Sequence, residues 1–388
     1  MTASAPESRH VAALDGLRGI GALVVVIRHT ANAVPMPELW RTQIFKSALA
    51  PLFSSQGAVQ LFFVLSGWVL AASLARGPSG VFAWLPFWVR RICRIHLPFV
   101  AAALAAFALS RFWSIPDPDA VTRWLARSVI QPSFGDLLAS LTFPGKAAEL
   151  IPVGWTLTIE MIYSFALPLL VLIARPLRGT LLLALGVAGL LLPLSPLSFA
   201  WYGLDFALGV VAFQERVAID RVLRRLPAAA RAALPFFGLA LISAPVWLGT
   251  DPSALLGVGR TVIASIGLGA FVLVLSVLSF PALARVLGSR PCVFLGRISF
   301  GVYLLHRPLL TFIAPLVLVP TVLASKLVVV KGVTAESAFE LLAFMLVGSI
   351  ALSVAFHRLA EQPAMALGRR ASRALEARLG LTRRSDRA

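Results

Sequence analysis

LDGLRGIGALVVVIRHT, the stretch from Leu14 to Thr30, is an apolar run of membrane grade with Arg18 near its start and Arg28 and His29 near its end. An ionisable side chain at mid-bilayer costs about 2.5–3.5 kcal/mol on insertion scales, so such groups usually face a cavity and mark function. Arg18 and His29 are therefore the first candidates. They stand eleven residues apart. At about 100° and 1.5 Å per residue, that spacing is about three turns plus roughly 20°, with a rise of about 16 Å. Both side chains are predicted to leave one helix face, Arg18 near a membrane surface and His29 about halfway across or beyond.

Of the 388 residues, 59% are hydrophobic and 13% charged. That balance is too apolar for one soluble core, and the chain reads as a polytopic membrane protein. A net charge of +18 raises nucleic acid as a partner, but the basic residues lie mostly in short loops between apolar runs. This pattern is topological rather than a nucleic-acid footprint. Cys93 and Cys292 both flank stretches placed on the cytoplasmic side, which argues against a disulfide. The first apolar run is interrupted by Arg28 and His29 and shows no cleavage site, so the first helix is expected to stay as an anchor.

Runs of about 20 apolar residues predict an all-α bundle of ten transmembrane helices. They fall at 14–34, 57–75, 95–113, 152–174, 180–197, 199–214, 229–249, 261–280, 294–319 and 337–357. Pro193 and Pro196 leave very little loop between the fifth and sixth, where merging or splitting would change the count. With a cytoplasmic N-terminus, 24 lysines and arginines fall on the inner side, nine outside, and Arg28 and Arg307 within spans. This excess satisfies the positive-inside rule and places both termini in the cytoplasm. The longest outer segment, from Ser114 to Ile151, carries an amphipathic stretch from Arg123 to Phe143, expected to lie on the outer surface or cap the bundle. Residues 1–10 read as a cytoplasmic tail and 11–365 as one membrane domain. Residues 366–388 form a basic tail, in which Arg369, Arg370, Arg373, Arg378, Arg383 and Arg384 predict a helix along the inner leaflet.

His29 is either a structural histidine satisfied by a neighbouring helix or, as neutral imidazole, a general base. The same-face arginine and the cost of intramembrane polarity favour the second reading. Glu160, in GWTLTIEMIYSF, is read as the one acidic residue well inside an otherwise uncharged span. It either neutralises Arg28 or Arg307, or orients His29 and stabilises its imidazolium. In FWVRRICRIHLPF, Arg91 and Arg94 share a helix face. With Arg18 they make either an anion site suited to phosphate or ordinary positive-inside residues, and His96 is assigned to the same interface. His306 is as suited to a structural hydrogen bond as to catalysis. Ser66, in FFVLSGWVL, lacks a nucleophile elbow and with Gly67 permits close helix packing. His357 and Glu361 are predicted to form a local polar pair. No cluster has metal-ligand spacing, and there is neither a P-loop nor a dinucleotide fingerprint.

Taken in order, LDGLRGIGALVVVIRH, FFVLSGWVL, RRICRIHLPF, GWTLTIEMIYSF, LGRISFGVYLLHRPLL and FHRLAEQPA resemble the integral-membrane acyltransferase 3 family over about residues 11–365. That family O-acylates bacterial surface glycans and some small molecules. The resemblance implies a ten-helix bundle that takes an acyl group from cytoplasmic acyl-CoA, most often acetyl-CoA, and delivers it to an acceptor, often at the outer face. By position His29 matches the family's essential histidine, Arg18 its partner arginine, Arg91 and Arg94 its arginine pair, and Glu160 the acidic residue after its tryptophan-containing stretch. Ser66, Trp155, Tyr303 and His306 lie in the matched stretches as pocket residues.

On this resemblance the arginines bind the phosphates of CoA near the inner surface, and the pantetheine arm carries the thioester toward His29. His29 removes the proton from an acceptor hydroxyl while Glu160 steadies the imidazolium; a covalent acyl-His29 relay is the alternative. The expected acceptor is a hydroxyl of a surface polysaccharide or glycolipid, with a secondary metabolite or lipid as the alternative. The expected location is the bacterial cytoplasmic (inner) membrane. A different class, a secondary transporter with His29 and Glu160 as a proton relay, predicts flux without covalent change. Acyl-CoA enters as a co-substrate; no permanently bound cofactor, metal or nucleic acid is expected, membrane lipids are partners, and no motif sets an oligomeric state.

Overall fold

In lipid, apolar runs satisfy their backbone polar groups by coiling into helices, and helices dominate the chain. The computed structural model describes residues 5–33, 38–79, 82–112, 132–142, 150–173, 180–191, 198–249, 258–314 and 335–383. The first half comprises α1 (Ala5–Ala33), α2 (Glu38–Phe45), α3 (Ser55–Arg76), α4 (Trp84–Phe112), α5 (Phe134–Thr142), α6 (Gly154–Ile173) and α7 (Thr180–Leu191). The second comprises α8 (Gly203–Gln214), α9 (Arg216–Arg225), α10 (Ala228–Leu248), α11 (Val258–Ser279), α12 (Pro281–Leu287), α13 (Arg290–Pro308), α14 (Ala335–Phe356) and α15 (Gln362–Arg378). A two-residue strand after α3, β1 (Pro78–Ser79), pairs antiparallel with β2 (Thr382–Arg383) after α15.

Proline and glycine set several boundaries. Pro281 opens α12 and Pro291 lies in the first turn of α13, where a missing N–H leaves no hydrogen bond unmade. Gly249, at φ 63°, closes α10 in the left-handed conformation. Pro308 and Pro363 adjoin π-helical turns at Leu309–Ile313 and His357–Glu361. The wider turn ahead of Pro363 relieves the clash of its ring with the carbonyl four residues back, so α14 runs into α15 without a break.

Five described helices are long and apolar enough to cross a membrane: Ser55–Arg76, Trp84–Arg111, Ala228–Leu248, Gly259–Ser279 and Ala338–Arg378. Phe236, Leu248, Phe339 and Val347 point outward from two of them, each 68–71% exposed. In water such side chains forgo about 1.5–3 kcal/mol each; facing lipid tails they are at home. The chain is an integral membrane protein. The ten expected spans are not all matched by full-length helices. The fifth and sixth correspond to α7 and α8, of 12 residues each, or about 18 Å against a hydrocarbon core of roughly 30 Å. Residues 192–197 between them, the end of the ninth expected span beyond 314, and the Arg123 to Phe143 stretch apart from 132–142 lie outside the described residues.

Contacts fix the relative directions of neighbours. Arg18 of α1 meets Gly296 and Ser299 of α13, and His29 meets His306, so these two helices run parallel. Helices α3 and α8 are also parallel, with Gln60 on Asp205 and Trp68 on Phe213. By contrast α4 and α6 are antiparallel, with Trp88 on Phe165 and Arg91 on Glu160. So are α13 and α14, with Gly301 beside Ser353 and Leu309 beside Gly348. Each relation is the one that alternation of the expected spans requires.

Among the described residues the most extensive helix pair is α1 with α13, and small residues make it close. A Cβ on Gly19 would lie 2.5 Å from the Gly296 nitrogen and 2.7 Å from the Leu295 carbonyl carbon. Without a hydrophobic drive between helices in lipid, such backbone proximity is what holds them together. Ala22 and Val26 continue the seam against Ile298 and Val302, with Met345 of α14 behind them. Gly67 and Gly209 do for α3 and α8 what Gly19 does for α1, each facing the other helix's backbone. The seam sets the positions of the polar residues on both helices. Gly19→Ala is expected to cost about 1–3 kcal/mol by overpacking, read as a lower melting temperature in detergent. Gly135→Ala, whose Cβ would meet only the Ser133 hydroxyl at 3.4 Å, is expected to leave it unchanged; equal stability of the two variants would contradict the tight seam.

Candidate active site

The α1–α13 seam carries a histidine pair, part-buried His29 against fully buried His306. His29 Nδ1 lies 2.7 Å from His306 Nε2, and the rings stack with centroids 5.0 Å apart. His306 is fully buried, and its Nδ1 lies 3.2 Å from the carbonyl oxygen of Val302, one turn back on α13. A carbonyl only accepts, so Nδ1 of His306 carries the proton and neutral His306 has its lone pair on Nε2. That lone pair accepts from Nδ1–H of His29. The basic lone pair of neutral His29 is then on Nε2, an assignment that follows from the hydrogen-bond network.

Toward the start of the same helices, Arg18 Nη2 bonds the Gly296 carbonyl at 2.9 Å and pairs with Asp15 at 3.0 Å, while its Nε donates to Ser299 Oγ at 3.0 Å. Arg18 and His29 therefore share the helix face that α13 covers, as their spacing predicts. Small Gly296 is what brings the α13 backbone within reach of the guanidinium.

Glu160 has a different partner from the ones expected. Its Oε1 accepts from Arg91 Nη2 at 2.8 Å and from Ser66 Oγ at 3.1 Å, and Arg91 Nε donates to Ser164 Oγ at 3.1 Å. Arg91 is only 7% exposed. The carboxylate thus ties α4, α6 and α3 together, in place of the expected bond to His29 or neutralisation of Arg28 or Arg307. Depth explains the difference. Thr156 and Tyr303 meet hydroxyl to hydroxyl at 2.9 Å; Thr156 donates to the Val153 carbonyl, so Tyr303 is the donor to Thr156. Glu160 lies one turn below Thr156 on α6, and His306 lies about one turn above Tyr303 on the oppositely directed α13. At 1.5 Å per residue these turns separate carboxylate and imidazole by about 10 Å along the membrane normal.

The remaining candidates divide. Tyr303 belongs to the histidine wall, its ring centroid 6.0 Å from that of His306 and edge-on to Phe62. Arg94 is exposed and within electrostatic range of Arg18 and Glu361, so the pair Arg91 and Arg94 splits into one buried brace and one accessible cation. Trp155 is 39% exposed and packs on Tyr202. His96, expected beside the arginines, donates from Nε2 to the Leu141 carbonyl at the end of α5. His357 and Glu361 do form a local pair, at 2.8 Å in the π turn. Arg28 lies over the Phe45 ring at 4.5 Å.

Two features were not read from the sequence. Asp205, 1% exposed, accepts from Gln60 Nε2 at 3.0 Å, and the same nitrogen donates to the Ile263 carbonyl at 2.8 Å. Glu160 is therefore not the one buried carboxylate; the rule that singled it out applies equally to Asp205, which stands near the start of the short α8. The second feature is a cavity of about 500 Å³ that opens on the Arg18 side, walled by Asp15, Arg18, Trp68, Arg76 and Arg90 with part of α15. Its size is that of a small-molecule site, and its polar lining is mostly cationic.

A family model described as an acyltransferase domain, that of acyltransferase family 3, matches residues 11–358. No curated protein and no solved structure gives a match. The matched segment takes in the α1–α13 seam, the Arg91–Glu160 brace and the turn that carries His357, and over that length the chain belongs to the acyltransferase 3 family of membrane acyltransferases.

Proposed function

We propose that this protein is a ten-span O-acyltransferase of the bacterial cytoplasmic membrane, with both termini inside. It moves an acyl group, acetyl in the first instance, from cytoplasmic acyl-CoA to a hydroxyl of a surface polysaccharide or glycolipid. The observation that carries the reading is the His29–His306 pair in the α1–α13 seam, eleven residues along α1 from the arginine that lines a cationic cavity. The parallel and antiparallel helix relations support the ten-span topology. The family's chemistry supports the donor and acceptor classes.

In this mechanism His29 Nε2 takes the proton of the acceptor hydroxyl as its oxygen attacks the thioester carbonyl. The tetrahedral oxyanion collapses to the ester and expels the CoA thiolate, which recovers the proton from His29. During the charged interval Nδ1–H of His29 continues to donate to His306 Nε2, while the Val302 carbonyl holds the His306 ring in its tautomer. His306 thereby does for His29 what an orienting carboxylate does in a hydrolase triad, without adding a second full charge in lipid. Arg18 and Arg94 meet the donor's phosphates. Arg91 and Glu160 act as a structural brace that keeps α4 and α6 in register around the site.

His29→Ala is expected to lower release of free CoA from acetyl-CoA by about 10²–10⁴-fold while CoA binding is retained; undiminished turnover would overturn the proposal. His306→Ala is expected to give a smaller loss, about 10-fold to 10²-fold, because the base remains and only its orientation is released. Removing one partner of the brace exposes the other as an uncompensated buried charge, so Arg91→Leu is expected to cost about 3 kcal/mol of stability. Adding Glu160→Leu should restore part of it, with a coupling of about 1–3 kcal/mol in a double-mutant cycle. Strictly additive effects on the melting temperature would contradict the brace.

A further inference from the structure

The tail after the family-matched segment is built into the protein. Helix α15 packs along α4, antiparallel to it, burying a stripe of Ala364, Gly368, Ser372 and Glu376. Gly368 sits against Cys93, and Glu376 Oε1 accepts from Arg90 Nη1 at 2.9 Å. Gly380, at φ 61°, then turns the chain back, with Leu381 N–H on the Glu376 carbonyl at 3.0 Å. The turn brings Thr382 and Arg383 into register with Ser79 and Pro78 just beyond α3. The tail is thus held on both sides of the cationic cavity.

Residues Arg369, Ser372, Arg373 and Glu376 recur at the three-and-four spacing of one helix face, and that face lines the cavity. Five arginines and two carboxylates surround the space. Both carboxylates are engaged, Asp15 with Arg18 and Glu376 with Arg90. Arg76, Arg369 and Arg373 remain as accessible guanidiniums converging on one space of about 500 Å³. Three such groups match a ligand with several phosphates, since guanidinium bonds phosphate oxygens in a bidentate fork. A purely leaflet-bound helix would present its arginines outward to lipid headgroups, whereas these two face inward beside Arg18.

We propose that α15 forms one wall of the phosphate site for the acyl donor, with Arg369 and Arg373 holding the phosphate groups of the donor's nucleotide end. The proposal rests on the acyl-CoA reading above. It gives the C-terminal helix a role in substrate binding, and it sets the nucleotide end of the donor at the Arg18 end of α1 with the thioester directed up the seam to His29.

The test is CoA binding by calorimetry to the full chain in neutral detergent, with a parallel assay of retention on phosphatidylcholine vesicles with and without phosphatidylglycerol. Arg369→Gln with Arg373→Gln is expected to weaken CoA binding by roughly tenfold or more, with a shallower salt dependence and an unchanged melting temperature. Dephospho-CoA, with one phosphate fewer, should lose less on going to this variant. Arg370→Gln with Arg378→Gln, which removes two charges of the same helix outside the cavity lining, should bind CoA as the wild type does. Equal CoA affinity of wild type and the Arg369/Arg373 variant would overturn the assignment, and loss of retention on anionic vesicles in that case would reassign the two arginines to lipid headgroups. Equal weakening by both double variants would also overturn it, as a general charge effect. Absence of CoA binding by the wild type would instead overturn the donor reading itself.

Discussion

A polar side chain inside a membrane must find its partner on another helix, and here that requirement is met because α1 and α13 approach to backbone contact. Gly19 and Gly296 remove the side chains that would hold the two axes apart. Once the helices lie parallel and close, the two long-range polar meetings follow from their registers. Arg18 reaches the carbonyl and hydroxyl of the first turns of α13, and His29 reaches His306 near its end. Neither meeting requires a second full charge in lipid, which would be costly there.

The seam also organises the chemistry along one axis. At one end lies a cavity with arginines from α1, α3, α4 and α15; at the other, a neutral imidazole pair whose tautomers are ordered by a backbone carbonyl. A donor with a polyanionic head and a long neutral arm suits both ends at once. The Arg91–Glu160 pair lies between in depth, and with Ser66 and Ser164 it satisfies its own hydrogen bonds. That arrangement is what a buried ion pair needs if it is not to be a net cost. Arg94, three residues on from Arg91, is exposed instead.

Sequence reasoning reached what local periodicity controls. The common face of Arg18 and His29 follows from helical geometry, the His357–Glu361 pair from a spacing of four residues, and the basic tail helix from its composition. It did not reach what depends on depth or on which helices are neighbours. Glu160 and His29 were matched by counting from opposite membrane surfaces, an estimate that an offset of two turns defeats. His306 could not be chosen over Glu160 as the partner of His29, because nothing local says that the first and ninth expected spans adjoin. Asp205 escaped although it stands in the expected sixth span, 199–214, where a lone carboxylate in an apolar run was signal enough. The docking of α15 was hidden because its buried stripe is made of alanine, glycine, serine and glutamate, which has no hydrophobic periodicity to read.

The central claim is that His306 orders His29 so that the base is Nε2. Nitrogen NMR of the detergent-solubilised chain with ¹⁵N-labelled histidine tests it directly, the His29 signals among the five histidines being assigned by single substitutions. The account predicts His29 as the neutral tautomer protonated at Nδ1, with an unprotonated Nε2, and loss of that single tautomer when His306 is replaced by phenylalanine. A His29 protonated at Nε2, or a tautomer unaffected by His306→Phe, would contradict it.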